Sequence, residues 1–218
     1  MMNILMMGVQ GAGKGTQGKR VASHFHLAYI CTGDIFRDEY ARKTDFGIKA
    51  HEYWGSGGLV PDDMTIGMIQ DSIRTTAGSV LDGFPRTIRQ AEALEAARFT
   101  IDHVIELSLP DPVAIDRLSY RRICLCGQEY GLARTPEVAG ACDACGKTLV
   151  AREDDTPEKI IKRVVEYHAK TKPILNFYAL RGIMHRVEAA QHPDKVFEDI
   201  LGYLMQGPTR AYPAIKPE

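Results

Sequence analysis

The chain has 218 residues, 44% of them hydrophobic and 25% charged, with 27 Lys plus Arg against 28 Asp plus Glu and a formal net charge of −1 at pH 7. Such a composition fits one sizeable soluble core with small insertions, and the charge balance excludes recruitment to nucleic acid or a membrane surface by bulk field. No apolar run approaches the roughly 18 residues of a membrane span, and the N-terminus reads as a strand entering a loop rather than as a signal peptide. The expected compartment is therefore the cytoplasm, where the five cysteines stay reduced or bind metal.

Ile4-Leu5-Met6-Met7 reads as a buried first strand. Gly8-Val9-Gln10-Gly11-Ala12-Gly13-Lys14-Gly15-Thr16 follows it and leads into a helix from Lys14 to about His24. Strand, glycine-rich turn and helix together make the context of a phosphate-binding loop. Its glycines let backbone N–H groups wrap an oxyanion, and the helix N-terminus adds partial positive charge at the same point. Lys14 then reaches the outer phosphates, and Thr16 holds a metal-bound water or a phosphate oxygen. Gly15 stands where most such loops place Ser or Thr, so the hydroxyl comes one residue later.

Leu27 to Ile30 is a short second strand, ending at Cys31-Thr32-Gly33-Asp34. A helix from Ile35 to Ala41 follows, with Thr32 or Asp34 as its expected cap and Arg37 on the side of the strand end. Gly47 to Tyr53 reads as another short helix, broken by Gly55-Ser56-Gly57-Gly58, and a longer amphipathic helix spans Asp62 to Thr76. Ser79-Val80-Leu81 is a third strand running into Asp82-Gly83-Phe84-Pro85-Arg86-Thr87. A carboxylate at the carboxyl end of a parallel strand, facing a phosphate-binding loop, is where an organiser of Mg²⁺ belongs in phosphoryl transfer. The next helix, Thr87 to Arg98, carries Gln90 near its start, and Ile101 to Leu107 is the fourth strand. A helix from Asp111 to Arg122 holds Arg117 and Arg121 four residues apart, which predicts both guanidinium groups on one face.

Cys124-Leu125-Cys126-Gly127 and Cys142-Asp143-Ala144-Cys145-Gly146 form two knuckle-like pieces 15 residues apart. Four thiolates on two turns suit a tetrahedral structural Zn²⁺. The residues between them lack the apolar content of an independent core, so metal would supply the folding energy. A redox pair or disulfide and free thiols are the other readings. The first piece is C-x-C, one residue shorter than the usual spacing, and the module lacks the basic and aromatic surface of a nucleic-acid zinc ribbon. A long helix then runs from Glu158 to about Lys172 and carries Arg163; Pro173 is expected to end or kink it, with a further helical piece to Arg181. Ile183 to Val187 is a fifth strand, Asp194 to Met205 a last helix, and 206–218 a loose tail. None of the seven histidines has metal-ligand spacing, and Trp54 reads as packing.

In this order, the G-K-G-T loop, Cys31-Thr32-Gly33-Asp34 with Arg37, Gly58-Leu59-Val60-Pro61-Asp62, Leu81 to Thr87 with Gln90, Arg121-Arg122, Arg152-x-Asp154-Asp155 and Glu166-Tyr167-His168 resemble adenylate kinases and their nucleoside-monophosphate-kinase relatives. The resemblance covers roughly residues 1 to 204 and is to the long form, whose lid carries a cysteine-bound zinc. It implies an α/β fold: a P-loop NTPase-like five-stranded parallel sheet flanked by helices, with a small helical NMP-binding insert and a zinc-ribbon-like lid. The core would be 1–30, 61–122 and 157–218, the insert 31–60 and the lid 123–156, with lid motion gating turnover. The implied reaction is Mg·ATP + AMP ⇌ 2 ADP, with ATP, AMP and ADP as the only partners, no nucleic acid or membrane, and a monomeric chain. Two nucleotides placed phosphate to phosphate concentrate negative charge, and arginine is the matching counter-residue because its planar fork pairs bidentately and stays charged.

Carried over onto this chain, Gly11, Ala12, Gly13, Lys14, Gly15 and Thr16 hold the ATP phosphates, and Arg117 packs on the ATP adenine. Arg37 and Arg86 take the AMP phosphate, Thr32 and Gln90 contact the acceptor adenine, and Gly83, Arg152 and Arg163 also belong to the AMP site. Arg121, Arg152 and Arg163 close on the transferring phosphoryl, Asp82 organises Mg²⁺ through water, and Asp154 and Asp155 orient the lid arginines. Cys124, Cys126, Cys142 and Cys145 are the implied zinc ligands. Adenylate kinases usually carry Pro in place of Gln10, Ser in place of Cys31 and Leu in place of Phe36, so loop stiffness and acceptor selectivity are the expected points of difference. A UMP/CMP-type kinase is the nearest rival, and a non-catalytic ATP-binding switch protein the rival of another class.

Overall fold

The structure, a computed structural model, describes residues 2–73 and 76–205; the expected tail lies outside them. In chain order the first elements are β1 (Asn3–Met7), α1 (Lys14–Phe25), β2 (Ala28–Cys31), α2 (Thr32–Ala41), α3 (Asp45–Trp54), α4 (Asp62–Ile73) and β3 (Ser79–Asp82). Then come α5 (Ile88–Ala96), β4 (His103–Ser108), α6 (Asp111–Ser119), β5 (Arg122–Ile123) and β6 (Glu129–Tyr130). The chain closes with α7 (Pro157–Glu166), α8 (Pro173–Ala179), β7 (Met184–Glu188) and α9 (Pro193–Leu204).

Five strands make one parallel sheet in the order β2-β3-β1-β4-β7. Successive residues of β1 serve opposite faces. Ile4 and Met6 pack with Val80, Ile105 and Leu107 beneath α1, α7 and α9. Leu5 and Met7 pack with Leu81 and Val104 beneath α4, α5 and α8. Because helices cover both faces, the strands read as continuous apolar runs instead of alternating ones. The carboxyl ends of β1, β2 and β3 lie side by side, where ligands of open α/β sheets bind, and they present the glycine-rich loop, Cys31-Thr32 and Asp82.

Several local expectations are corrected. α2 begins at Thr32, not Ile35, and neither Thr32 nor Asp34 caps it: extended Cys31 holds the cap position without a side-chain bond. The Thr32 hydroxyl instead donates to Gly83 O at 2.9 Å. α6 stops at Ser119 with Tyr120 as its C-cap, so Arg117 and Arg121 do not share a helical face. The expected end or kink at Pro173 is met: α7 ends at Glu166 and a separate α8 begins at Pro173. α7 widens into a π-helical turn, Tyr167–Thr171, in which Lys172 N–H donates to Tyr167 O at 2.8 Å. That i→i−5 turn delivers Pro173 to the first turn of α8, where its missing N–H has no partner to lose. The widened turn also brings the Thr171 hydroxyl to Arg86 O at 3.1 Å.

Two smaller units flank the carboxyl edge. In residues 31–60, α2 and α3 enclose a core of Phe36, Ala50 and Val60, with Phe46 and Trp54 against it. Residues 123–156 are built on the antiparallel β5–β6 pair and a bridge between Ile123 and Val150. The two units touch. His51 lies flat on Tyr40 at 3.9 Å and sets its Nε2 3.0 Å from Glu153 Oε1, while Lys162 of α7, outside both units, donates to Ser56 O at 3.0 Å.

Candidate active site

A cleft of about 740 Å³ lies between the carboxyl ends of the strands and the two flanking units. Its wall carries the whole loop from Gln10 to Thr16, together with Thr32, Arg37, Asp82, Gly83, Arg86, Gln90, Arg117, Arg121, Arg152, Asp154 and Arg163. Asp155 stands behind this wall with its side chain 1% exposed. Lysines and arginines outnumber carboxylates along it.

The loop is shaped by its glycines. Gly13 has φ +94° and is the N-cap of α1, with open space where a Cβ would stand. The constraint there is conformational: a side chain would be strained, and no side chain caps the helix. The first N–H groups of α1 are thus left for an anion. Lys14 folds back, donating to Gly8 O at 2.7 Å and Val9 O at 3.0 Å. Burial pulls its ammonium down to about 8; Asp82 opposes that, and Arg86 and Arg163 add to it. Asp82, at the end of β3, is 7% exposed and accepts from the Tyr29 hydroxyl at 2.8 Å. A buried carboxylate facing the loop fits the water shell of a Mg²⁺ carried by a nucleotide.

On the other side of the cleft, Arg121 grips Asp155 through two bonds of 2.7 Å, from Nε and Nη2. Arg163 Nη1 shares the same carboxylate at 2.8 Å and also lies 3.2 Å from Asp154 Oδ2. Arg152 Nε stands 3.2 Å from Asp154 Oδ1 without the alignment of a hydrogen bond. Burial would weaken the charge of Arg121, but the paired bonds and charge of Asp155 outweigh it and raise the group. Arg152 has no such hold: burial, then Arg121 and Arg37, bring it down to about 10. Burial would push Asp154 up, yet Arg152 and Arg163 hold it below the usual carboxylate range. Arg117 is separate from this group, its guanidinium donating to Ala189 O at 2.9 Å and Gly11 O at 3.4 Å.

Beside β3, Gly83 has φ +82°, and a Cβ there would stand 2.6 Å from Thr32 Oγ1; the position is closed to any side chain. Arg86 donates from Nε to Gly83 O at 2.8 Å, and burial lowers it. Arg37 pairs with Asp34 at 2.6 Å. The Gln90 carboxamide is fixed at both ends: Oε1 accepts from Arg86 N at 2.7 Å, and Nε2 donates to Asp62 Oδ1 at 2.7 Å. Tyr29, which holds Asp82, lies in no motif and only the sheet register reveals it; Asp62, the last residue of the Gly58–Asp62 segment, meets Gln90 where α4 packs on α5.

Away from the cleft, the ligand atoms of Cys124, Cys126, Cys142 and Cys145 all lie within 4.8 Å of one another. Cys124 and Cys145 sulfurs are 3.4 Å apart and those of Cys126 and Cys142 3.6 Å, close to the ~3.8 Å edge of a tetrahedral zinc–thiolate site. The short C-x-C piece fits because Gly127, at φ +91°, closes its turn with an N–H bond to Cys124 O of 2.9 Å. Tyr130 is buried beside them, its hydroxyl 3.5 Å from Cys142 Sγ and accepting from Asp143 N at 2.8 Å. The cluster is compatible with a structural Zn²⁺ and has no open position for catalysis.

A family model described as Adenylate kinase matches residues 6–183. The chain is 44% identical to an adenylate kinase of Lachnoclostridium phytofermentans, over 93% of this chain and 98% of that protein. It is 43% identical to an adenylate kinase of Agathobacter rectalis, over 93% and 99%. It is 39% identical to one of Methanothrix thermoacetophila, over 91% and 96%.

Two outcomes follow from the geometry. Phosphate on Lys14 restores the full ammonium, so the bound pKa exceeds the free value of about 8. ATP binding at about pH 8.5 therefore takes up a proton, and affinity, fully present below 8, declines as pH rises through that value. Titration calorimetry in buffers of different ionisation enthalpy reads this uptake, and a buffer-independent heat contradicts it. For the thiolates, elemental analysis finds one zinc per chain, and complete chelation lowers the melting temperature and opens residues 123–156 to proteolysis. Unchanged thermal stability after full metal removal argues against a structural metal.

Proposed function

We propose how this cleft works from the premise that the chain belongs to the adenylate kinase family and is an ATP:AMP phosphotransferase, catalysing Mg·ATP + AMP ⇌ 2 ADP. The observation that carries the assignment of parts is the convergence of Lys14 and arginines from separate segments on one cleft. Phosphoryl transfer asks little covalent chemistry of a protein; placing the two nucleotides in line and stabilising the spread charge do most of the work.

In this reading the loop from Gly11 to Thr16 and Lys14 hold the ATP phosphates, and Arg117 lies under the ATP base. Arg37, Gly83 and Arg86 receive the AMP phosphate, and Thr32 and Gln90 meet its adenine. Arg121, Arg152 and Arg163 surround the phosphoryl in transit, with Asp154 and Asp155 setting their direction. Asp82, steadied by Tyr29, would orient water around a Mg²⁺ entering with ATP, which would supply neutralising charge to the phosphates. Supporting this division, Arg152 is held least firmly of the three closing arginines and is the one left to turn onto a ligand.

Residues 31–60 and 123–156 act as the moving parts. Their closure excludes water, which otherwise intercepts the phosphoryl group. His51 with Glu153, and Lys162 with Ser56, supply contacts for the closed form. Free nucleotides are the only partners we assign, and the chain works as a cytoplasmic monomer without nucleic acid or membrane; its near-neutral charge agrees with that.

The test is a phosphate-acceptor panel: Mg·ATP with AMP, CMP, UMP or GMP, and ADP formation followed by chromatography. AMP is the preferred acceptor, and Arg121→Lys, which removes the bidentate fork but keeps the charge, lowers kcat about 100-fold. A preference for a pyrimidine monophosphate would reassign the pocket around Thr32, Phe36 and Gln90, and ATP binding without transfer to any acceptor would point to a switch protein.

A further inference from the structure

Gln10 lies inside the phosphate-binding loop and lines the cleft. Its Oε1 is shut off from solvent and, among the described residues, accepts no hydrogen bond. Buried polar atoms are almost always paired, and each exception calls for a cause. The proline usual at this place in adenylate kinases would leave no such atom. Carbonyls on both sides of Gln10 accept bonds from side chains that line the cleft. Lys14 Nζ donates to the carbonyls of Gly8 and Val9 at 2.7 and 3.0 Å, and Arg117 reaches Gly11 O at 3.4 Å. The ammonium that takes the outer phosphates thus rests against the two residues that precede Gln10. A carboxamide offers two donors and one acceptor oxygen without net charge. That set suits a place where phosphate oxygens and guanidinium N–H groups meet, and the cleft brings Arg86, Arg121, Arg152 and Arg163 to its wall.

We propose that Gln10 is a further catalytic residue of this enzyme: its Nε2 donates a hydrogen bond to the phosphoryl group in transit, while its Oε1 accepts from an arginine closing on that group. The proposal rests on the assignment of Lys14 and the loop to the ATP phosphates. The neutral donor strengthens its bond as charge gathers on the transferring oxygens, so it favours the transition state over either bound nucleotide pair. A loop in which proline replaces it must leave that oxygen to the arginines alone.

The experiment compares the full chain with Gln10→Ala, Gln10→Pro and Gln10→Glu. It measures kcat and KM for ATP and AMP, and the affinities for ADP alone and for ADP with AMP and aluminium fluoride, a mimic of the phosphoryl in flight. In Gln10→Ala and Gln10→Pro, kcat falls about tenfold, as for the loss of one hydrogen bond. KM stays within about twofold, affinity for the mimic falls in the same ratio as kcat, and affinity for ADP holds. Gln10→Glu falls further, because its carboxylate faces the phosphoryl oxygens. The proline variant keeps the test open if alanine loosens the loop. Unchanged kcat and mimic affinity in both would overturn the proposal. So would a parallel loss of ADP and mimic affinity, which marks a loop that has merely lost its shape. A wild-type chain that made no ADP from ATP and AMP would remove the reading beneath the proposal, a result visible before any variant is examined.

Discussion

Asp155 is the constraint on which the site depends. A carboxylate with its side chain 1% exposed holds Arg121 by two bonds and Arg163 by a third. Burying charge is expensive unless partners surround it, and removing one member of such a set costs roughly 3–5 kcal/mol. The pairing is therefore strong where it exists, and it is incomplete by design. Arg152 and Arg86 remain buried with less than a full set of anions, and burial depresses both, as it does Lys14. A site of this kind is poised for polyanions. Phosphates would supply the missing charge.

The fold delivers these groups from distant parts of the chain with little redundancy. The parallel sheet sets the loop after β1, Asp82 after β3 and Thr32 after β2 at neighbouring carboxyl ends. Gly83, which tolerates no side chain, lets the Thr32 hydroxyl cross to the β3 turn. The π-helical turn after α7 carries Thr171 to the Arg86 carbonyl, so the helix that bears Arg163 also braces the segment that bears Arg86. The thiolate cluster has no side chain in the cleft. Cys124 and Cys142 form a small buried cluster with Tyr130 and Leu149, beside the cleft-lining residues Gln128 to Arg134.

Elements with strong local grammar were legible in the sequence. The five strands, the glycine-rich loop and the Asp82 turn all rest on short-range rules, and the structure places them where those rules predict. Helix ends were less legible, because tertiary bonds decide them: α6 stops at Ser119 so that Arg121 can turn to Asp155, thirty-odd residues away in sequence. The π-turn ahead of Pro173 resolves a conflict between proline and a continuing helix in a way that periodicity does not encode. Tyr29 was silent because a tyrosine on a strand is ordinary there; its meaning comes from register. The four cysteines were legible as a set, and the shortened first knuckle acquires its geometry from the glycine that follows it.

We propose that phosphates, by completing the charge set of Lys14, Arg86 and Arg152, draw residues 31–60 and 123–156 more closely together. Small-angle scattering tests it directly, on the free chain and on the chain with a bisubstrate that joins two adenosines through a chain of phosphates. The account predicts a smaller radius of gyration with the bisubstrate, an effect lost with adenosine and weakened by added salt. A radius that stays the same on saturation with the bisubstrate would contradict it.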